Sequence, residues 1–453
     1  MRGKKNADSE KILVKALKKL GADDVAASSV NDTRTMIKFC DNKITSVKEW
    51  DTCASDLFVA KDKRLMFSSV SDLTKERVGA VAARIMGRVN AVARNDDYVG
   101  LAQGPFKYSD VPDGYDKRVA SLGKDAFDIV EGAINSALSA GVKRCSGVFE
   151  FGKQKISLVT TNSVSAKDRG TDAYLSIRVF SDAGSSGHAV CCSRTLKSLK
   201  IKKSLERACE NALMSRKPKP CRPGNFEIVM DPLPFANLMQ HVGAAASAYA
   251  VEAGFSFLGG KIGKKVASGC MSLEDNGLLA NGLDSAKFDD EGAPSRRTAV
   301  IESGVLKTYL HNNSTAKRHN TKTTGNAGIL SPEPTNIVIK PGDQKEEELV
   351  GSVRNGLYIT NVWYTRFQNY LTGDFSTIPR DAVFYIKNGK IRHPVKNVRL
   401  SGSLPGVMKN IKALGRHLEQ IKGWEVDTPV WCATANLSSM RVTKPTGDFP
   451  KVL

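Results

Sequence analysis

Long apolar runs are missing from this 453-residue chain: its most apolar stretch, Phe235 to Leu258, is interrupted by His241 and Glu252. A membrane span needs about 20 predominantly apolar residues, so no contact with a membrane interior is expected. CxxC pairs are also missing. The nine cysteines are scattered singles plus the neighbours Cys191-Cys192, which excludes zinc-ribbon spacing and fits reduced thiols in a cytoplasmic protein better than a disulfide framework. Histidine is scarce, with six residues, and His188, His311, His319, His393 and His417 stand too far apart for the i, i+4 spacing of a helical metal pair. The register GxSxG of a nucleophile elbow does not occur; Gly184-Ser-Ser-Gly-His188 comes nearest and reads as a hairpin turn. The start, Met1-Arg-Gly-Lys-Lys-Asn6, is basic but runs into an amphipathic stretch and does not read as a secretory signal.

What is present is an ordinary globular composition, 41% hydrophobic, 7% aromatic and 25% charged, with an unusual charge balance. Sixty-seven lysines and arginines against 47 acidic residues leave a formal charge of +20. Such charge attracts phosphate backbones through counterion release. Here the basic residues recur along the whole chain, with mild enrichment from Lys197 to Arg222, and no aromatic-rich basic strand for stacking bases is read. The expectation is a basic solvated surface with weak, salt-sensitive affinity for DNA and no specific nucleic-acid partner.

The length suits two domains of roughly 200 residues each. Apolar periodicity predicts a helix over Ser9–Leu20, strands at Met36–Cys40, Asp51–Ala60 and Leu65–Val70, and a helix capped by Asp72 or Thr74 and ending at Val89. After a long connection, Asn95 to Asp116, the order returns: a helix carrying Phe127, Val130 and Ile134, strands at Gly147–Thr160, Tyr174–Phe180 and Gly187–Cys192, and a helix capped by Thr195 and burying Leu205, Ala208 and Ala212. This leaves open a duplicated helix-strands-helix unit. Three prolines in Lys217–Gly224 mark a linker. The expected organisation is α+β: an N-terminal layered domain at residues 1–216, the linker at 217–224, and a β-rich domain at 225–453 with one long helix, Phe235–Ala253.

Three ordered segments of the second domain carry a resemblance. They are Asp289-Asp-Glu-Gly-Ala-Pro-Ser-Arg-Arg-Thr298 with Ile301-Glu-Ser-Gly-Val-Leu-Lys-Thr-Tyr309, then Thr324-Gly-Asn-Ala-Gly328, then Leu371-Thr-Gly-Asp-Phe-Ser376 with Ile386-Lys-Asn-Gly-Lys-Ile391. Together they resemble the TldD/PmbA metallopeptidase family, over about Phe226 to Gly415; the first domain agrees only in its order of elements and in fragments such as Phe67-Ser-Ser-Val-Ser-Asp-Leu73. Taken by themselves, Glu302–Val305 and Lys387–Lys390 are tight hairpin turns. Asp289, Asp290 and Glu291 read either as a solvated turn, the reading that charge runs in turns favour, or as a carboxylate cluster near a cleft.

In the catalytic branch of that family the long helix carries HExxxH, two zinc-binding histidines and a glutamate that polarises water. Here His241 is a lone remnant: Val242 stands where the glutamate is required, and Ala245 and Ala246 where the second histidine would be. The branch's third ligand is a late cysteine; Cys432 lies in about that region and, without helical partners, reads as a buried thiol. The resemblance therefore implies the TldE-like (PmbA-like) branch, a subunit with no cofactor of its own beside a TldD-like partner that carries the zinc. It implies extended peptide substrates and a cleft lined by His241, Asp290, Glu291, Arg366, Asn369 and Asp374. Whether the chain forms homodimers alone stays open. Two rivals stand: a self-sufficient peptidase drawing on Asp289–Glu291 and His311, and a basic, nucleic-acid-associated regulator of the gyrase-modulator kind.

Overall fold

A computed structural model describes residues 9–71 and 73–444; Met1–Asn6 and Asp72 lie outside the described residues. The fold is α+β and rich in strands. The N-terminal half runs α1 (Ser9–Lys19), β1 (Asp24–Cys40), β2 (Lys43–Lys61), β3 (Arg64–Ser71), α2 (Val78–Val89), a four-residue α3 (Lys117–Ala120), α4 (Asp125–Ser139), β4 (Arg144–Thr160), β5 (Ser165–Asp182), β6 (Ser185–Ser193) and α5 (Ile201–Met214). All six strands form one sheet in the order β3-β2-β1-β4-β5-β6, with β1 and β4 antiparallel at its centre. Alternation decides the faces. Val25 and Ala27 of β1 meet Leu13, Leu17, Val81 and Ile85 under α1 and α2, while Ala26 and Ser28 face away toward the C-terminal half. Over the other end of the sheet, α4 and α5 bury Val130, Ile134, Leu205 and Ala208 against Phe149 and Leu175.

β1 and β2 reach 17 and 19 residues, far beyond the expected Met36–Cys40 and Asp51–Ala60. The extra length is polar: Asn31 to Thr35 pairs on both sides through its backbone, while none of its side chains is fully buried. A half-exposed ribbon lacks the apolar alternation that announces a strand. Caps differ as well. α2 begins at Val78 with Arg77 at its N-cap, and Thr195 caps a 3-10 turn over Leu196–Ser198 while α5 starts later, at Ile201.

In the C-terminal half, β9 (Leu273–Asn276), β10 (Arg297–Glu302), β11 (Val305–Leu306), β12 (Ile337–Ile339), β20 (Glu419–Gly423) and β21 (Val426–Cys432) form a sheet ordered β11-β10-β9-β12-β21-β20. A larger sheet joins β7 (Lys219–Pro220), β8 (Gly224–Met230), β13 (Asn355–Ile359), β14 (Val362–Asn369), β15 (Asp374–Pro379), β16 (Val383–Lys387), β17 (Lys390–Lys396), β18 (Arg399–Ser403) and β22 (Ala435–Thr443), with β19 (Ile411–Leu414) pairing beside β22. Its order, β14-β15-β18-β22-β8-β13-β16-β17-β7, makes β14 one edge and β7 the other. The proline-rich segment is thus not a free linker. Lys219-Pro220 adds to β17 at the edge, where a missing proline N–H is tolerated, and Cys221 is buried.

Helix α6 (Pro232–Ala245) lies between the two sheets, touching β21, β20 and β12 on one side and β8 and β14 on the other. It is apolar nearly all round, as a helix buried on all sides must be; Phe235, Leu238, Met239 and Val242 are fully enclosed, each contributing roughly 1.5–3 kcal/mol. The expected helix Phe235–Ala253 is broken. At Ala246 and Leu310 the two backbones exchange hydrogen bonds, Leu310 N–H to Ala246 O and Ala248 N–H to Leu310 O, and Ser247 Oγ donates to Pro332 O. These bonds take over the helical ladder, and α7 (Ala248–Glu252) restarts on a new axis. The remaining helices are α8 (Asn313–Arg318), α9 (Glu346–Gly351) and α10 (Leu404–Asn410).

Candidate functional site

The small residues of α6 have an internal purpose. A Cβ on Gly243 would stand 2.2 Å from Ile337 Cδ1, so the helix reaches β12 only because that position is glycine. Ala245 and Ala246 are buried too, which leaves His241 and Ala244 as the accessible stripe. His241 packs edge-on against Phe367 of β14, ring centroids 4.7 Å apart. Burial, only partly opposed by Asp427, pushes its pKa down to about 4, so the ring is neutral. Cys432 lies at the other end of the helix, its thiol donating to Pro232 O over 3.3 Å; Pro232 is nine residues before His241, roughly 13 Å along a helix.

A zinc ion needs three or four converging donors. Among the described residues no group of three or more His, Cys, Asp or Glu side chains is placed to hold a metal. The α6 donor set, one imidazole turned against a phenyl ring, does not fit one.

The family-like segments of the sequence meet in a second place. Asp289 accepts from the N–H groups of Glu291, Ala293 and Ala327, at 2.9–3.0 Å, tying the Asp289–Gly292 turn to the Thr324–Gly328 loop. Glu291 accepts from Asn313 N–H at 3.1 Å. Both are under 10% exposed, which corrects the solvated-turn reading for these two residues. Their carboxyl groups satisfy buried backbone donors, whereas the exposed Asp290 between them faces the cleft. Gly292, at φ 81°, has no room for a side chain; a Cβ would meet Val164 of the β4–β5 turn at 2.5 Å.

Above this brace opens a cleft of about 730 Å³ between the N-terminal sheet and the C-terminal half. Its walls include Phe58, Phe67, Ile156, Tyr249, Ile329 and Leu330, and its carboxylates include Asp56, Asp290 and Glu252. Asp290 is open to the cleft but crowded by protein; that desolvation, then Glu333 and Asp56, push its carboxyl up to about 6. Burial, then Asp289, holds Glu291 well above the carboxylate range. Glu252 is spoken for by Arg318 and His319. A chain lying in this cleft would meet apolar walls and carboxylates at once.

The six residues expected to line one cleft therefore divide. Asp290 and Glu291 are in this cleft. His241, Arg366, Asn369 and Asp374 gather instead at the β14–β15 hairpin, where Asn369 faces Asp374 and Arg366 faces Ser376 across the ladder. That hairpin holds what the sequence reading missed. β14, Val362-Trp-Tyr-Thr-Arg-Phe-Gln-Asn369, is rich in aromatics around a single arginine. The clustering of Trp363, Tyr364, Phe367 and Tyr370 around Arg366 was the available signal.

His188, within the strand expected at Gly187–Cys192, sits in β6. Its Nε2 is 2.9 Å from Ser176 Oγ and its Nδ1 3.0 Å from Asn361 Nδ2. Because Asn361 Nδ2 also donates to Asp381 at 2.8 Å, the amide is oriented as donor, Nδ1 accepts, and Nε2–H points at the serine. Such a histidine cannot take the serine's proton, so this group is no hydrolase triad.

The family model described as PmbA/TldA metallopeptidase C-terminal domain matches residues 223–444, the stretch that contains α6, the carboxylate brace and the β14–β15 hairpin. Residues 223–444 form a domain of the PmbA/TldD family. A metalloprotease of Methanocaldococcus jannaschii is 32% identical over 48% of this chain and 49% of its own. A TldD homolog of Buchnera aphidicola is 31% identical over 50% and 48%, so the chain spans about half the length of these curated relatives. A PmbA homolog of Haemophilus influenzae is 26% identical over 78% of each chain. Among solved PmbA/TldD-like structures, TldE of Thermococcus kodakarensis superposes with a TM-score of 0.85 over 96% of this chain and 99% of that one, at 18% identity, which establishes the shared fold.

Proposed function

We propose that this chain is a TldE-like subunit of a two-chain PmbA/TldD peptidase, supplying a peptide cleft while a TldD-like partner supplies the zinc. One observation carries the reading. The helix on which the family's metal motif would stand offers a single neutral imidazole packed on Phe367, followed by Val242 and the buried Ala245 and Ala246. The chain's own residues then bind and orient. Extended peptide would enter the cleft over the Asp289–Gly292 turn, its apolar side chains against Phe58, Phe67 and Tyr249 and its cationic groups near Asp290 and Asp56. Apolar walls with a few carboxylates accept many sequences, so width and charge would select. The two halves are joined by charge pairs such as Arg178–Asp381, 2.6 Å, and the partly exposed Arg207–Glu419, 3.2 Å.

The test is metal content and peptidase activity of the purified chain, alone and mixed with an HExxxH-bearing relative from the same cell. The expected result is no stoichiometric metal in this chain and hydrolysis only in the mixture. One zinc per chain, lost in His241→Ala, would overturn the reading.

A further inference from the structure

We infer that the surface formed by Trp424, Tyr364, Tyr370, Arg366 and Arg380 docks an acidic face of a second, different protein chain. The occupant is the metal-bearing relative of the subunit reading, on which this inference rests. The surface is exposed to an extent the core does not explain: Trp424 is 69%, Tyr370 60% and Leu371 58% exposed. Large aromatics left in water forfeit burial energy, and a contiguous patch of them marks an interaction site. Its composition of tryptophan, tyrosine and arginine is that of interface hot spots.

The patch is also built, not accidental. Trp424 stands edge-on to Trp363 with centroids 5.0 Å apart. Tyr364 sits at a bulge of β14 with φ 57°, a left-handed conformation that is uncommon for a bulky side chain and strained. Glu425 holds it there, accepting from Tyr364 N–H at 2.7 Å, and Asn237 of α6 anchors the same turn by donating to Glu425 O at 2.7 Å. The strain serves no packing of the core; it aims an aromatic ring outward. Phe367 then links this face to α6, lying against His241 on one side and stacked on Tyr370 on the other.

Charge selects the occupant. The Arg380 guanidinium lies over Trp363 and Tyr364 at 5.1 and 5.6 Å, and that of Arg366 over Tyr364 at 5.6 Å. Among the described residues neither has a carboxylate partner; Arg366 donates only to Thr365 O. Two oriented, unpaired guanidiniums await carboxylates from outside. A second copy of this chain would bring the same arginines and a formal charge of +20 against +20, so a different, acidic chain fits better. A nucleic-acid strand would need a continuous basic track, which Arg366 and Arg380 alone do not make. Edge strand β14 offers the partner main-chain groups as well.

The experiment measures binding of the full-length chain to its HExxxH-bearing relative by co-elution and titration calorimetry. Wild type is compared with Trp424→Ala, with the double variant Arg366→Glu/Arg380→Glu, and with the control Lys202→Glu on α5. Trp424→Ala is expected to weaken binding by roughly 30-fold or more, the double variant to abolish co-elution, and the control to match wild type, all with unchanged unfolding midpoints. Variants that bind like wild type overturn the docking face while leaving the subunit reading intact. A wild-type homodimer dissolved by Trp424→Ala, or a single-stranded oligonucleotide held at physiological salt and released by the double variant, overturns the occupant. Wild type that never co-elutes overturns the subunit reading itself.

Discussion

Two side chains, His241 and Asp290, have titrations moved by burial in opposite directions. His241, neutral and half-enclosed beside Phe367, takes its proton near pH 4 when folded against about 6.5 when unfolded. Its contribution is complete above 6.5 and is lost as the pH falls through that window, because the unfolded chain binds the proton first. A shift of this size corresponds to at most about 3 kcal/mol, and less for a ring that water still reaches. His241→Leu should therefore flatten the loss of stability between pH 6.5 and 4, read from urea midpoints at three pH values. An unchanged slope would show that the ring is not desolvated. Asp290 runs the other way. Its folded carboxyl titrates near 6, so the stability it contributes is present below the unfolded value near 3.8 and disappears as the pH rises through 6. Asp290→Asn should raise the midpoint at pH 7 and leave it unaltered at pH 3.5; a lower midpoint at pH 7 would contradict the crowding described for the cleft.

At the scale of elements, buried polar side chains help join the two halves. Arg194 is 3% exposed and donates to Leu283 O and Ser285 O at 2.8 and 2.6 Å, and to Gly114 O at 3.2 Å. Replacing it by methionine strands those carbonyls, at a cost of about 2–4 kcal/mol, measurable as a lower denaturation midpoint; no change would mean that water replaces the guanidinium freely. Gly292→Ala should cost about 2 kcal/mol, through positive φ and the clash with Val164. Much of this architecture was legible. The hairpin turns at Ser303-Gly304 and Asn388-Gly389 have the left-handed backbone their residues imply, and the helices of the N-terminal half lie close to where periodicity put them. What stayed hidden depended on distant partners. The polar halves of β1 and β2 are strands because each other's backbones and β4 pair with them. α6 ends because Leu310, more than 60 residues on, captures its carbonyl. Asp289 is buried because Ala327 needs an acceptor. Local pattern carries none of these, and it likewise could not divide the six candidate residues between the cleft and the hairpin.

At the scale of the whole molecule, a +20 chain with an acidic-walled cleft and an aromatic, arginine-bearing face is suited to work beside another protein. The cleft and the face are separate: Asp290 and Glu291 belong to the first, Arg366 and Tyr370 to the second, and α6 with His241 borders the face. In the proposed subunit, such a division would let one chain receive peptide on one surface and a partner on another. No helix among the described residues is long and apolar enough to cross a membrane, and the charge makes any DNA affinity fall steeply with salt. The central claim is that this chain contributes architecture and not the metal. The most direct measurement is the metal content of each chain together with the rate of peptide hydrolysis for this chain, for its HExxxH-bearing relative, and for an equimolar mixture. The account predicts zinc only in the relative and full activity only in the mixture, unchanged by His241→Ala in this chain. Zinc bound by this chain and lost with His241, or a relative that cleaves peptides at the full rate alone, would contradict it.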